Sequence, residues 1–283
     1  MKTILVPTDF SPSANNAAKY AVELAERVKA DLKLCNAIKI PAESVFAGHV
    51  AWPLEDGASL RENSEAELNY LTTVLEEKTL HHSNFKPRIR HSTGIGNVTD
   101  YIANLVSDDH INLVIMGMSG ANVFSRYLLG SNSRQLIDKS DFPLLLVPKN
   151  HLYNPIGKIG FATDLSGSDI DTLHSLVNFA RYFNASILIT HVIEVPGDHQ
   201  KQIESFLNEV TCKIDYPDIY YRSLQSDGVE DGLKWLTEKG QIDMLVMVHR
   251  DNNVFSNSYT QKLAVETRVP LMVLPNGFNK FLI

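Results

Sequence analysis

Two cysteines in 283 residues, Cys35 and Cys212, are too few for a disulfide framework. Cys35 sits inside the apolar run LKLCNAI and is expected to pack as a small hydrophobe. No apolar run approaches the length of about 20 residues that a membrane-spanning helix needs. The opening, MKTILVPTDFS, also lacks the long apolar stretch of a signal peptide. These absences lead to an expectation of cytoplasmic residence with no membrane association. Positive charge is scarce as well: 26 Lys and Arg against 33 Asp and Glu leave a formal charge of −7. That balance argues against a nucleic-acid partner, which would call for a basic face. Any phosphate site must then be built locally, from backbone N–H groups and hydroxyls.

What the chain does have is a repeat. ILVPTDFS (4–11) and IGFATDLS (159–166) share Thr-Asp-apolar-Ser at an offset of 155 residues. The same offset lays LAERVKADLKLCNAI (24–38) over FARYFNASILITHVI (179–193). GNVTDYI (96–102) lies over DGVEDGL (227–233) and NVF (122–124) over NVF (253–255) at offset 131, and FPLLLVP (142–148) over VPLMVLP (269–275) at offset 127. Identities, apolar pattern and order agree, so the chain holds two copies of one domain. The expected domains are 1–149 and 158–283, with the polar stretch around 150–157 as linker.

Within the first copy, short apolar strands alternate with helical patterns. ILVPT, LKLCNAI, KPRIRHS, INLVIM and PLLLV read as strands. Residues 13–29, 62–79, NVTDYIANLVSDD and a short stretch from about 132 read as helices. This alternation predicts a doubly wound α/β domain, used twice, with a parallel sheet covered by helices on both faces. Such sheets bind ligands beyond the carboxyl ends of their strands, where strand order reverses.

The loop GMSGANVFSRYLLGSNS (117–133) leaves the fourth strand at that end and runs into a helix. Glycine makes up roughly 7% of average proteins, so the spacing of Gly117, Gly120 and Gly130 means little without its address in the fold. Glycines permit positive φ and close approach of backbone to a ligand, and Ser131 and Ser133 can cap the helix or donate to phosphate. Arg126 is either a charge-neutralising residue or a solvated arginine. The bland alternative is a turn with Ser131 as its N-cap. No Walker A lysine follows, and GIGNVT (94–99) reads as a helix-entry turn.

Gly117, Gly120, Gly130 and Ser131 reproduce the spacing of the ATP-binding universal stress proteins, glycine, two residues, glycine, nine residues, glycine and Ser or Thr. VPTD (6–9) and CNAI (35–38) fit that family's first two strand ends. The chain therefore resembles a tandem universal stress protein over roughly 2–148 and 157–275. The resemblance implies two five-stranded parallel sheets of order 3-2-1-4-5. It places Pro7, Thr8, Asp9 and Ala37 around adenine and ribose, and Met116 and Gly117 under the nucleoside. Gly120, Gly130, Ser131, Asn132 and Ser133 would hold the phosphates, with magnesium on them. Asp9 has a second reading as the cap of the following helix.

The second copy reads VHRDNNVFSNSYTQKL (248–263), with Val248 for Gly117, Asp251 for Gly120 and four residues missing. It keeps Thr163 and Asp164 but is not expected to bind ATP in this manner. His249 and Arg250 are read as exposed loop residues, or else as an altered anion site. The apolar last strands, PLLLV and PLMVL, are aggregation hazards if unpaired. Family dimers join such strands, so a tandem chain could form an internal pseudo-dimer. The apolar tail FNKFLI (278–283) would dock on that seam or on another chain, and a homodimer or a regulatory protein partner remains open. Among ten histidines, His81, His82 and His91 form no complete zinc set. The segment with Phe46 and Trp52 is either a lid or a packed loop. No nucleophile–base pair is recognisable, which points to an ATP-binding regulatory module with slow hydrolysis at most. The rivals are a nucleotide-hydrolysing enzyme and a nucleotide-independent interaction scaffold.

Overall fold

A computed structural model describes residues 2–38, 57–78, 85–118, 135–138, 141–194, 199–250, 260, 263–264 and 267–283. The first half runs β1 (Thr3–Pro7), α1 (Pro12–Val28), β2 (Asp31–Ile38), α2 (Gly57–Lys78), β3 (Ile89–Ile95), α3 (Val98–Asp108), β4 (Leu113–Gly117) and β5 (Leu144–Val147). The second repeats it with β6 (Lys158–Ala162), α4 (Ser168–Ala180), β7 (Ser186–Ile193), α5 (Gln200–Lys213), β8 (Ile219–Gln225), α6 (Val229–Lys239), β9 (Met244–His249) and β10 (Leu271–Pro275). No helix among the described residues is long and apolar enough to cross a membrane.

The strands are short and apolar because both faces of the sheet are covered. Helices α1, α2, α4 and α5 pack on one face, and α3 and α6 on the other with Leu136, Ile137, Leu263 and Ala264. Within each half the strands are parallel, in the order β3-β2-β1-β4-β5 and β8-β7-β6-β9-β10. The two five-stranded sheets run on into one. β5 pairs antiparallel with β10, setting Leu146 opposite Leu271, Leu145 opposite Met272 and Leu144 opposite Val273. All six side chains are buried. The last strand of each half would otherwise present an open apolar edge, and each closes the other's.

The segment after β5 fastens the halves further. Asn16 of α1 donates to the Pro148 and His151 carbonyls at 3.3 and 2.9 Å, and His151 Nδ1 lies 3.0 Å from the Arg268 carbonyl. The tail packs against its own chain at the same seam: Phe278, Leu282 and Ile283 are buried in the core shared by α1 and α4.

Candidate functional site

In the first half, strand order reverses between β1 and β4, which lie side by side with Leu5 opposite Val114. The crevice at their carboxyl ends is where ligands bind in open α/β sheets. Five sequence-predicted residues flank this reversal or adjoin it directly: Pro7, Thr8 and Asp9 leave β1, while Met116 and Gly117 close β4. Ala37 is half-buried on the adjoining β2, two residues beyond Cys35. Gly120, Arg126, Gly130, Ser131, Asn132 and Ser133 lie outside the described residues, as do Phe46, Trp52, His81, His82 and Asp251.

The turn after β1 is held bond by bond. The Thr8 amide donates to the Cys35 carbonyl at 2.8 Å. Thr8 Oγ1 accepts from the Phe10 amide at 2.9 Å, and Asp9 Oδ1 accepts from the Ser11 amide at 3.0 Å. Phe10 sits at φ +61°, in the left-handed region that non-glycine residues seldom adopt. The N-cap of α1 is Ser11, whose Oγ accepts from the Ala14 amide at 3.3 Å. Asp9 is therefore not the helix cap. Its carboxylate is exposed, and Oδ2 meets no donor among the described residues. Cys35 behaves as expected of a packed hydrophobe: it is buried, and burial pushes its thiol up to about 12.

Gly117 serves a close approach, and it does so without positive φ. A Cβ there would lie 2.3 Å from the Ser13 carbonyl oxygen and 2.9 Å from the Ala14 nitrogen. The glycine thus brings the first turn of α1 onto the end of β4, where helix N–H groups and strand end share one crevice. The described residues on either side of 119–134 are held in place. The Met118 amide donates to the Val147 carbonyl at 2.8 Å, and Leu136 and Ile137 are fully buried. Thr99 Oγ1 of α3 donates to Gln135 Oε1 at 3.2 Å. The GIGNVT stretch is the helix-entry turn expected of it. Gly96 takes φ +131° and Asn97 caps α3 through the Thr99 amide at 2.8 Å.

The second half repeats the turn and sets an ion-paired arginine against it. Leu165 takes φ +65°, Thr163 Oγ1 accepts from its amide at 2.8 Å, and Asp164 Oδ1 accepts from the Ser166 amide at 3.0 Å. Across from this turn stands Arg250, whose guanidinium bonds Asp164 Oδ1 at 3.0 Å and Asp169 Oδ1 at 2.5 Å. Asp169 is fully buried and takes a further bond from Thr163 Oγ1 at 2.5 Å. Burial raises the Asp169 carboxyl pKa, against the opposing pull of the Thr163 and Arg250 bonds. The reading of His249 and Arg250 as exposed loop residues is corrected: His249 is buried, and the Arg250 side chain is 18% exposed. Nor does Arg250 offer an open anion site, since two carboxylates already occupy it. Asp169 was missed altogether. Its signal lay in the repeat, where offset 155 sets it over Ala14, an apolar-to-acid change opposite a new arginine.

Among the described residues no group of three or more His, Cys, Asp or Glu is placed to hold a metal. His91 faces Thr72, its Nδ1 3.4 Å from Thr72 Oγ1.

Two doubly wound halves, joined through their last strands and carrying matched strand-end turns, define a tandem α/β protein of the Rossmann-like kind. The model of the universal stress protein family matches residues 1–148, and the chain belongs to that family. Over its length it is similar to universal stress protein Slr1230 of Synechocystis, with 24% identity across 96% of this chain and 99% of that protein. It is also similar to universal stress protein MJ0577 of Methanocaldococcus jannaschii, with 28% identity over 164 residues, 53% of this chain and 96% of that protein. Among solved structures, a universal stress protein from Archaeoglobus fulgidus matches with TM-score 0.76 at 16% identity, covering 96% of this chain and 98% of that one. That likeness speaks for the fold alone.

Proposed function

We propose that the first half binds ATP at the carboxyl ends of β1 and β4, and that the chain acts as a nucleotide-responsive regulatory module. The observation carrying this reading is the convergence of the Asp9 turn and the Gly117 approach on the one crevice where strand order reverses. The residues fit the nucleoside end of such a ligand. Asp9 Oδ1 holds its own turn, which leaves Oδ2 to accept from a ribose hydroxyl or an amino group, with Pro7, Thr8, Ala37, Met116 and Gly117 as the walls. Gly120, Arg126, Gly130, Ser131, Asn132 and Ser133 are assigned to the phosphates by motif spacing. Magnesium would arrive on the phosphates, because no acidic cluster among the described residues offers it a site of its own. The second half, its crevice filled by the Arg250 ion pairs, serves as structural partner.

Calorimetric titration of the full chain with Mg-ATP, beside Gly130→Val, tests this reading. The expected result is one site per chain, lost in the variant. Two sites would overturn the assignment of the second half. Absence of binding, with no nucleotide retained from expression, would leave an interaction scaffold as the function.

A further inference from the structure

We propose that Asn36 and Ser64 are positioning residues for the nucleoside end of the site, acting through the Thr8 carbonyl. The inference rests on the nucleotide reading above and extends it to two residues outside the glycine motif. Asn36 Nδ2 donates to the Thr8 carbonyl at 2.7 Å, and Ser64 Oγ of α2 donates to Asn36 Oδ1 at 2.9 Å. Ser64 is buried, so it gives its hydroxyl proton to Asn36 away from competing water. The bond meets the peptide just before Asp9, where the chain turns into the left-handed Phe10. A strained turn persists only where its surroundings over-determine it, and this relay is the constraint that reaches it from the side of α2.

The second half supplies an independent instance of the same device. His191 stands at offset 155 from Asn36, and its Nδ1 lies 3.0 Å from the Thr163 carbonyl. Thr163 is the counterpart of Thr8, and Leu165, at φ +65°, the counterpart of Phe10. Two chemically different donors thus hold the same carbonyl before the same turn. Each donates to the carbonyl outside the sheet ladder, and the replacement of asparagine by histidine leaves the bond in place. The bond thus goes with the left-handed turn itself, and in the first half it is by holding that turn that Asn36 positions Asp9.

The test uses the full chain and three variants, Asn36→Leu, Asn36→His and Ser64→Ala, titrated with Mg-ATP, adenosine and tripolyphosphate. Losing the donor leaves the Thr8 carbonyl unsatisfied, so Asn36→Leu is expected to weaken ATP and adenosine by about tenfold. Tripolyphosphate, which does not reach the turn, should bind unchanged. Asn36→His, carrying the donor of the second half, should recover most of the loss, and Ser64→Ala should lose several-fold by the same selectivity. Amide hydrogen exchange of Phe10 and Ser11 in the ligand-free protein should accelerate in Asn36→Leu and return toward normal in Asn36→His. Equal weakening of tripolyphosphate would mean general disruption and overturn the assignment, as would unchanged exchange at the turn. Unchanged adenosine affinity in Asn36→Leu would overturn it while leaving the nucleotide reading intact. Failure of the unsubstituted chain to bind ATP or adenosine would remove that reading, and the positioning role with it.

Discussion

The two halves make the same turn and put opposite things in front of it. Thr8, Asp9, Phe10 and Ser11 are matched by Thr163, Asp164, Leu165 and Ser166, down to the two amide bonds and the left-handed residue. Facing that turn, the first half has a glycine onto which α1 closes, and the second has Val248 followed by Arg250. The valine has a geometric consequence. Where α1 lies against β4, α4 barely touches β9, and it starts one residue later than the repeat requires, at Ser168. A side chain at the strand end cannot coexist with a helix turn packed on it, so the helix stands off. Arg250 spans the space between turn and helix, and Asp169, in the first turn of α4, answers it from inside. The repeat keeps the left-handed turn in both halves but sets an ion-paired arginine against it in only one.

The sharpest way to break this comparison is Gly117→Val, which gives the first half the residue of the second. The added carbons meet backbone, not a side chain that could swing away, so α1 must shift. We expect a loss of about 3 kcal/mol in urea unfolding and loss of Mg-ATP binding by calorimetry. If stability and binding both survive, the close approach of Ser13 is not what Gly117 is for.

Arg250→Ser breaks the other side. It strands Asp169 without its cation, and a buried charge left alone costs more than the pair contributed. Because Arg250 is 18% exposed and water can reach it, the expected loss is about 2 kcal/mol at neutral pH. The pH dependence follows from the raised Asp169 pKa. A carboxyl raised in the folded state binds its proton more tightly there than in the unfolded chain. Its contribution therefore falls as pH rises from its ordinary range through its native value, and is restored below it. Without Arg250 the native value climbs further, so the variant should lose stability over a wider span of rising pH than the parent. Asp169→Ala added to Arg250→Ser should flatten that difference. Urea midpoints across pH check it; parallel curves for parent and single variant would count against a buried, Arg-dependent carboxylate.

Much of this was legible in the sequence, for physical reasons that also mark where legibility stopped. The strands announced themselves because a sheet buried on both faces must be apolar along its length, as in ILV and LLLV. The turn at Thr8 and Asp9 was visible because the repeat printed it twice. The pairing of β5 with β10 could be anticipated from two apolar edges that had to go somewhere. Gly117 was noticed for a ligand, and its second partner went unseen. Its spacing suggested room for a ligand and gave no sign that it also admits the backbone of Ser13, more than a hundred positions away in the chain. Arg250 and Asp169 are 81 residues apart, and the one trace of their pairing, an acid set over Ala14 by the repeat, names no partner until the fold brings them together. Asn36 was passed over inside an apolar run, because a single amide there looks like any half-buried polar residue until its carbonyl is known.

The smallest difference between the halves can be used to sharpen the comparison. Ser11 caps α1 with its hydroxyl, while the N-cap of α4 is Gly167, with no side-chain cap, although Ser166 occupies the place equivalent to Ser11. Both serines sit beside a second one, Ser13 or Ser168, at 3.0 and 3.1 Å. Each serine keeps a neighbouring hydroxyl while the residues after it differ, Pro12 and Ala14 against Gly167 and Asp169, and the cap bond is what the pair compares. Ser11→Ala should cost about 1 kcal/mol, the usual penalty for removing an N-cap hydroxyl. Ser166→Ala should stay within about 0.5 kcal/mol, as for a surface change away from special features. The pair is best measured side by side by urea unfolding. Equal losses would mean that α4 closes onto Ser166 in solution as α1 does onto Ser11, and that the helix does not stand off β9. The space that Arg250 fills would then have lost its geometric cause.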